Sequence, residues 1–179
     1  IRVAWEIRGT DPLDTGLARL MQDLGIIHCV DISHQNPAFT SDVLYTRLFG
    51  RGRHNIYQFT DEELLEINRK VEDYDRAYLV FHSLKMYKDA NRLQTFRSTG
   101  QFPRITRSFG LKSLREVLME DARFPSSKSE LINHQGWKII DFTEGQRVRA
   151  SEILERLPER IYRDVSDVLG ELERLGQVA

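Results

Sequence analysis

The chain has 179 residues, 40% of them hydrophobic and 30% charged, with 26 Lys and Arg against 27 Asp and Glu. That length suits one domain, or one domain with a small appendage, and a net charge of −1 excludes a whole-chain electrostatic footprint for nucleic acid or a membrane, so any basic site must be local. The single cysteine, Cys29, excludes an intrachain disulfide, and no apolar run approaches the roughly 20 residues of a bilayer span; a reducing, cytoplasmic setting is expected.

The chain opens without a methionine on residues that already read as a strand, so an upstream segment is expected. "VAWEIRG" (Val3 to Gly9) is short, β-rich and closed by glycine. In "DPLDTGLARLMQDLG", Asp11 can cap a helix and Pro12 can take its first position, with Leu13, Leu17, Leu20, Met21 and Leu24 as the buried stripe. "IIHCVDIS" (Ile26 to Ser33) and "DVLYTRLFG" (Asp42 to Gly50) read as the second and third strands. Thr60 with Glu63 three residues on is a capping box for a helix whose buried face is Leu64, Leu65, Ile67 and Val71. "RAYLVFHS" (Arg76 to Ser83) is a fourth strand, and "KMYKDANRLQTF" the helix after it.

This alternation predicts parallel strands joined by helical crossovers, a sheet class in which functional groups gather at the carboxyl ends of the strands. The ends carry Glu6 and Arg8, Asp31 and His34, Arg47 and Arg51, and His82 and Ser83. Residues 98–110 are rich in turn formers and read as a linker, placing the domains at 1–104 and 105–179. Beyond it come an amphipathic helix, a serine-capped helix ending at Gly136, a hairpin from "WKIIDF" and "QRVRA", and helices in "SEILERL" and "ERIYRDVSDVLGELERL" on either side of Pro158.

The strand ends "WEIRG", "VDIS", "YTRLFGRG" and "YLVFHSLKMYKDANRL" resemble, in order and spacing, the YecE-like family of uncharacterised TIM barrels (domain of unknown function seventy-two). The likeness covers about residues 1 to 100, the last four strands of such a barrel. It implies an α/β fold: the C-terminal half of a TIM-type barrel, followed here by a small, mainly helical domain with a β-hairpin. Position by position it picks out Glu6, Arg8, Asp31, Tyr45, Arg47, Gly50, Arg51 and Phe81, and Asp89, Ala90 and Arg92 in the following helix. The chain departs from the pattern at Phe49, where the family has histidine, and at His82 and Ser83, where it has two asparagines. The appendage, through "FPSSK" and "LPERIY", resembles another small family of uncharacterised domains. A half barrel leaves two strand edges and an inner face open, so either a missing half or self-association is expected.

Guanidinium groups offer planar, paired donors to phosphate or carboxylate, and glycines admit close backbone approach. Arg47, Arg51 and Arg53 with Gly50 and Gly52 therefore suggest an anion site, for a small anionic molecule or nucleic-acid fragment. The competing reading is a solvated turn with Arg47 paired to Glu6 or Asp31. The expected ligand-binding set is Glu6, Arg8, Asp31, Tyr45, Arg47, Gly50, Arg51 and His82. His28, Asp31, His34, His54 and His82 show no metal-motif spacing, and neither a metal nor a cofactor is expected; Cys29 reads as a small buried residue. In the appendage Arg147, Arg149 and Lys138 form a modest basic edge of the kind a winged nucleic-acid binder uses, while its many glutamates suit protein contact. The alternative function is a non-catalytic assembly module whose appended domain recruits a protein partner.

Overall fold

The computed structural model describes residues 1–9 and 12–176. It is a mixed α/β fold of seven α-helices and small sheets, and among the described residues no barrel closes. The chain divides into two compact units, Ile1–Ser98 and Thr99–Ala179. The divide falls before the expected one because the loop leading into the second unit is bound there. Ile105 and Thr106 donate their backbone N–H groups to the Asp141 carboxylate at 2.8 and 2.7 Å, and Arg147 donates to the carbonyls of Phe102 and Pro103.

In the first unit β1 (Ala4–Trp5) pairs parallel with β2 (Ile27–His28), and β3 (Val43–Leu48) pairs parallel with β4 (Arg76–Phe81). A parallel bridge between Val30 and Thr46 joins the two pairs, so the order is β1-β2-β3-β4. The Thr46 hydroxyl reinforces that joint, donating to the Val30 carbonyl at 2.7 Å and accepting from the Ile32 N–H at 3.2 Å. α1 (Thr15–Asp23) joins β1 to β2, α2 (Asp61–Glu72) joins β3 to β4, and α3 (Met86–Thr99) follows β4.

The start of α1 differs from the expectation. Its cap is Asp14, whose carboxylate accepts from the N–H groups of Gly16 and Leu17; Asp11 lies outside the described residues. The stripe differs too. Met21 is buried, but Leu20 and Leu24 are exposed, because nothing among the described residues covers that flank of the helix. The capping box of α2 forms as expected between Thr60 and Glu63, and Leu64, Ile67 and Val71 are buried. They pack in a core that includes Leu44, Leu48, Phe59 and Met21, each worth about 1.5–3 kcal/mol on burial.

The second unit contains α4 (Gly110–Asp121), β5 (Ser126–Ser127), α5 (Lys128–Gln135), the hairpin β6 (Ile139–Asp141) and β7 (Arg147–Arg149), α6 (Ala150–Leu154), β8 (Ile161–Tyr162) and α7 (Val165–Arg174). Its core gathers Leu114 and Leu118, Leu131, Ile140, Ile153, Tyr162, Val168 and Leu172. The expected helix across 159–175 is interrupted. Ile161 and Tyr162 pair antiparallel with Ser127 and Ser126, the Tyr162 ring is buried with its hydroxyl donating to the Pro158 carbonyl, and Asp164 begins α7 by accepting from the Asp167 N–H. β-Branched Ile161 and aromatic Tyr162 suit a strand.

One interaction ties α2 and α3 to the segment that leads into α2. Arg92, 2% exposed, donates to Asp89 at 2.8 Å, to the Phe59 carbonyl at 2.6 Å and to Asp61 at 2.5 Å. Asp89, fully buried, also accepts the Phe59 N–H at 3.1 Å. Burial raises the Asp89 carboxyl to about 6 from an ordinary value of 3.8, even with the Arg92 charge opposing the shift. A folded-state value above the unfolded one means stability that is complete below pH 3.8 and lost as pH rises through about 6. Urea unfolding of wild type and Asp89→Asn across pH 4 to 7.5 should diverge over that window, wild type losing up to about 3 kcal/mol relative to the variant. Parallel pH profiles for the two proteins would refute the assignment.

Candidate functional site

The concave face of the parallel strands follows from alternation. Residues two apart share a face, and Ala4 and Glu6, Ile27 and Cys29, Val43, Tyr45 and Arg47, and Arg76 and Tyr78 together line a groove of about 740 Å³. At its carboxyl end stands the internal pair that strand polarity predicts. Arg47 donates to one Glu6 oxygen at 2.5 Å while Arg8 donates to the other at 3.0 Å. Burial alone would raise the Glu6 carboxyl, but the hydrogen bonds from Arg47 and Arg8, with their charges, hold it below its ordinary value. It is an ionised, acceptor-only group. The Arg47 guanidinium also lies 5.0 Å from the centre of the Phe49 ring, and Phe49 meets the His82 imidazole edge to face at 5.0 Å.

Asp31 does something different. It pairs with no arginine; its Oδ2 accepts the N–H groups of Phe49 at 2.7 Å and Gly50 at 3.2 Å, and its Oδ1 accepts from the Ser33 N–H and hydroxyl at 2.9 and 2.6 Å. The amide nest at the tip of β3 thus already holds an anion, the protein's own. Arg51 donates to the Ser33 carbonyl at 3.3 Å, and His34 lies 2.9 Å from the Gly50 carbonyl through Nε2. The expected residues therefore form two neighbouring groups. Glu6, Arg8, Arg47 and Tyr45 belong to the concave face. Asp31, Gly50 and Arg51 belong to the loop fastening, with His82 reached through Phe49.

Gly50 has a left-handed φ of 77°, and a Cβ there would sit 2.1 Å from the Tyr57 ring. Its lack of a side chain is used by Tyr57, not left open to a ligand. The loop ends with His54 and Asn55 both at positive φ, 50° and 64°, and Asn55 offers its carbonyl to the N–H groups of Tyr57 and Leu84. Arg53 and Arg76 make no side-chain hydrogen bond or ion pair among the described residues. The buried Ser83 hydroxyl at the tip of β4 has no partner there either.

His28 is buried and its Nδ1 accepts the Ala38 N–H at 3.0 Å, with Phe39 stacked beside it; burial pushes its pKa below the ordinary value. Cys29 is buried in the groove floor, and burial first, then the Glu6 charge, push its thiol up and keep it protonated. Among the described residues no three His, Cys, Asp or Glu side chains converge as metal ligands would, and no helix is long and apolar enough to cross a membrane. In the second unit the basic edge is used internally. Lys138 is buried and donates to Asp121 at 2.5 Å and the Val117 carbonyl, Arg147 pairs with Asp141 at 2.9 Å, and Arg149 donates to the Trp137 carbonyl.

Sequence reasoning missed Arg2 and Arg76, which line the groove from its amino end, and Tyr78, whose ring lies 6.2 Å from that of Tyr45. The signal was present: each lies an even number of positions from an expected concave residue on its own or the paired strand. Comparison with family models, curated proteins and solved structures finds no match.

Replacing Asp31 by Ala leaves four donors without their acceptor, at about 1–3 kcal/mol for each that stays dry. Hydrogen exchange at the Phe49 and Gly50 amides should accelerate at least about tenfold in Asp31→Ala, ahead of any change at Leu64 or Ile67. Uniform acceleration across the first unit would contradict a local fastening.

Proposed function

We propose that the four parallel strands are half of a TIM-type barrel, in keeping with the likeness to the YecE-like family, and that their carboxyl tips bind an anionic ligand. A phosphate ester or nucleic-acid fragment suits the chemistry best. The observation that carries this reading is Arg47: a guanidinium at a strand tip, oriented by Glu6 on one side and Phe49 on the other, facing an open groove. A donor group so fixed loses little freedom when an anion docks. Arg8, also held by Glu6 and largely exposed, supplies a second cation within reach of the same carboxylate. Arg51 and Arg53, the latter without a side-chain partner among the described residues, extend the positive field beyond the tip of β3.

Glu6 serves as a positioning group. Kept ionised by two arginines, it is a poor general acid, and the role that fits it is alignment of Arg47. Tyr45 and the neighbouring Tyr78 offer ring faces for a flat portion of the ligand. Asp31 and Gly50 contribute indirectly, by holding the loop that carries Arg51.

The test is a titration of the whole chain with inorganic phosphate and with adenosine monophosphate, followed by amide chemical shifts. Saturable shifts should appear at Arg47, Phe49 and Arg51. Arg47→Ala should weaken binding about tenfold or more with Arg104→Ala in the second unit unchanged. Equal affinities in wild type and Arg47→Ala, with only thermal stability reduced, would make Arg47 a structural pair and nothing more.

A further inference from the structure

Acidic residues are missing from one part of this chain. From Val43 to Thr60 and from Arg76 to Lys88, the stretches that hold β3, β4 and the loops after them, there are six Lys and Arg, two His and no Asp or Glu, although 27 of the 179 residues are acidic. All of those cations but Arg76 sit toward the carboxyl ends of the two strands or beyond them. The two loops form one surface, since His82 donates its N–H to the Leu48 carbonyl at 2.8 Å and Leu84 donates its own to the Asn55 carbonyl at 3.0 Å. Carboxylates that meet this surface from outside are already engaged. Glu6 is held by Arg47 and Arg8, Asp31 by donors on Ser33, Phe49 and Gly50, and Glu63 by the Tyr57 hydroxyl and the Thr60 N–H.

The loop after β3 has a fixed shape. A Cβ at Gly50 would strike the Tyr57 ring, and one at Gly52 would lie 2.1 Å from the Ile56 carbonyl oxygen. His54 and Asn55 both hold left-handed backbone. Such conformations persist where the surroundings determine them, and they gather at ligand clamps. Arg51, Arg53 and His54 are exposed on this loop. Arg47 is fastened to Glu6 and Arg51 to the Ser33 carbonyl, while Arg53 has no side-chain partner among the described residues. The guanidiniums are thus strung along the rim instead of gathered on one point, an arrangement that suits a row of phosphates better than a single one. Rings lie beside them: the exposed His82 imidazole, edge to face with Phe49 at 5.0 Å, and the Tyr87 ring, 82% exposed. Flat faces of this kind stack on unpaired bases, which a duplex keeps hidden.

We infer that the ligand of this rim is a single-stranded nucleic acid, with successive phosphates on Arg47, Arg51 and Arg53 and bases against His82 and Tyr87. The inference rests on the anion site proposed above and narrows its ligand from phosphate esters at large to a strand of several nucleotides.

Fluorescence anisotropy of a labelled oligothymidylate of about 12 nucleotides, titrated with the whole chain, should give saturable binding. The logarithm of affinity should fall with the logarithm of salt concentration at a slope of about 2, roughly 0.7 for each of the phosphate contacts. Arg53→Ala should flatten that slope by about 0.7 while the shifts that inorganic phosphate induces at Arg47 persist. Tyr87→Ala should weaken the oligonucleotide about fivefold or more with the slope unchanged. Both side chains are exposed, so circular dichroism should stay as in wild type; should Arg53→Ala disturb the loop, Arg53→Gln repeats the measurement. If phosphate shifts Arg47 but the oligonucleotide binds no tighter than adenosine monophosphate, the anion site stands and the strand is wrong. Equal competition by inorganic polyphosphate of the same length overturns the inference too, as does preference for a duplex or for phosphatidylserine vesicles. Absence of binding by phosphate and oligonucleotide alike removes both readings.

Discussion

A single carboxylate sets the geometry of the strand tips. Asp31, shortly after β2, accepts from the backbone of Ser33 in the turn that follows it and of Phe49 and Gly50 beyond β3. It thereby holds two parallel strands level at the end where their side chains converge. The Thr46 hydroxyl repeats the device one step lower, between Val30 and Ile32. With β2 and β3 in register, Glu6 on one side of β2 and Arg47 on the other come within hydrogen-bond distance across 41 positions of sequence. Short strands with few ladder bonds depend on such side-chain ties more than long ones do.

Charge is spent inward in both units, and the pattern separates candidate binding groups from structural ones. Arg92, Lys138 and Arg147 are buried or nearly so and meet carboxylates and carbonyls of their own unit. Desolvating such groups is costly, and the cost is offset only by full pairing. Arg47 and Arg8 share a carboxylate but stay in reach of solvent, and Arg53 and Arg76 have no side-chain partner among the described residues. Arg47, Arg8, Arg53 and Arg76 therefore stay able to take a new anion on the first unit. The hairpin of the second, basic in sequence, has given its charges to Asp141, Asp121 and main-chain oxygens.

How much was legible in the sequence depended on the range of the interaction. Thr60 with Glu63 forms the expected capping box, and the expected serine cap is Ser127, which pairs reciprocally with Glu130, because a cap is decided within one helical turn. The parallel order, the hairpin and the Glu6–Arg47 pair followed from periodicity. Other features answer to distant partners. Asp31 faces backbone donors, which leave no trace in residue identity. The glycine at 50 reflects the ring of Tyr57, not an approaching ligand. Ile161 and Tyr162 leave a helical pattern because Ser126 and Ser127 offer them a ladder. Leu20 and Leu24 keep a core-like spacing while remaining exposed among the described residues.

The Asp89–Arg92 pair has a consequence for how such a chain can drift. The two residues lie less than one helical turn apart and both hold the main chain of Phe59, Asp89 accepting from its N–H and Arg92 donating to its carbonyl. Losing Arg92 alone strands the Asp89 carboxylate in a dry interior, whereas losing Asp89 alone leaves Arg92 with Asp61 and the Phe59 carbonyl. Descendants that lack Arg92 should therefore lack Asp89 as well, making these two positions a linked heritable mark of the scaffold independent of whatever its rim has come to hold.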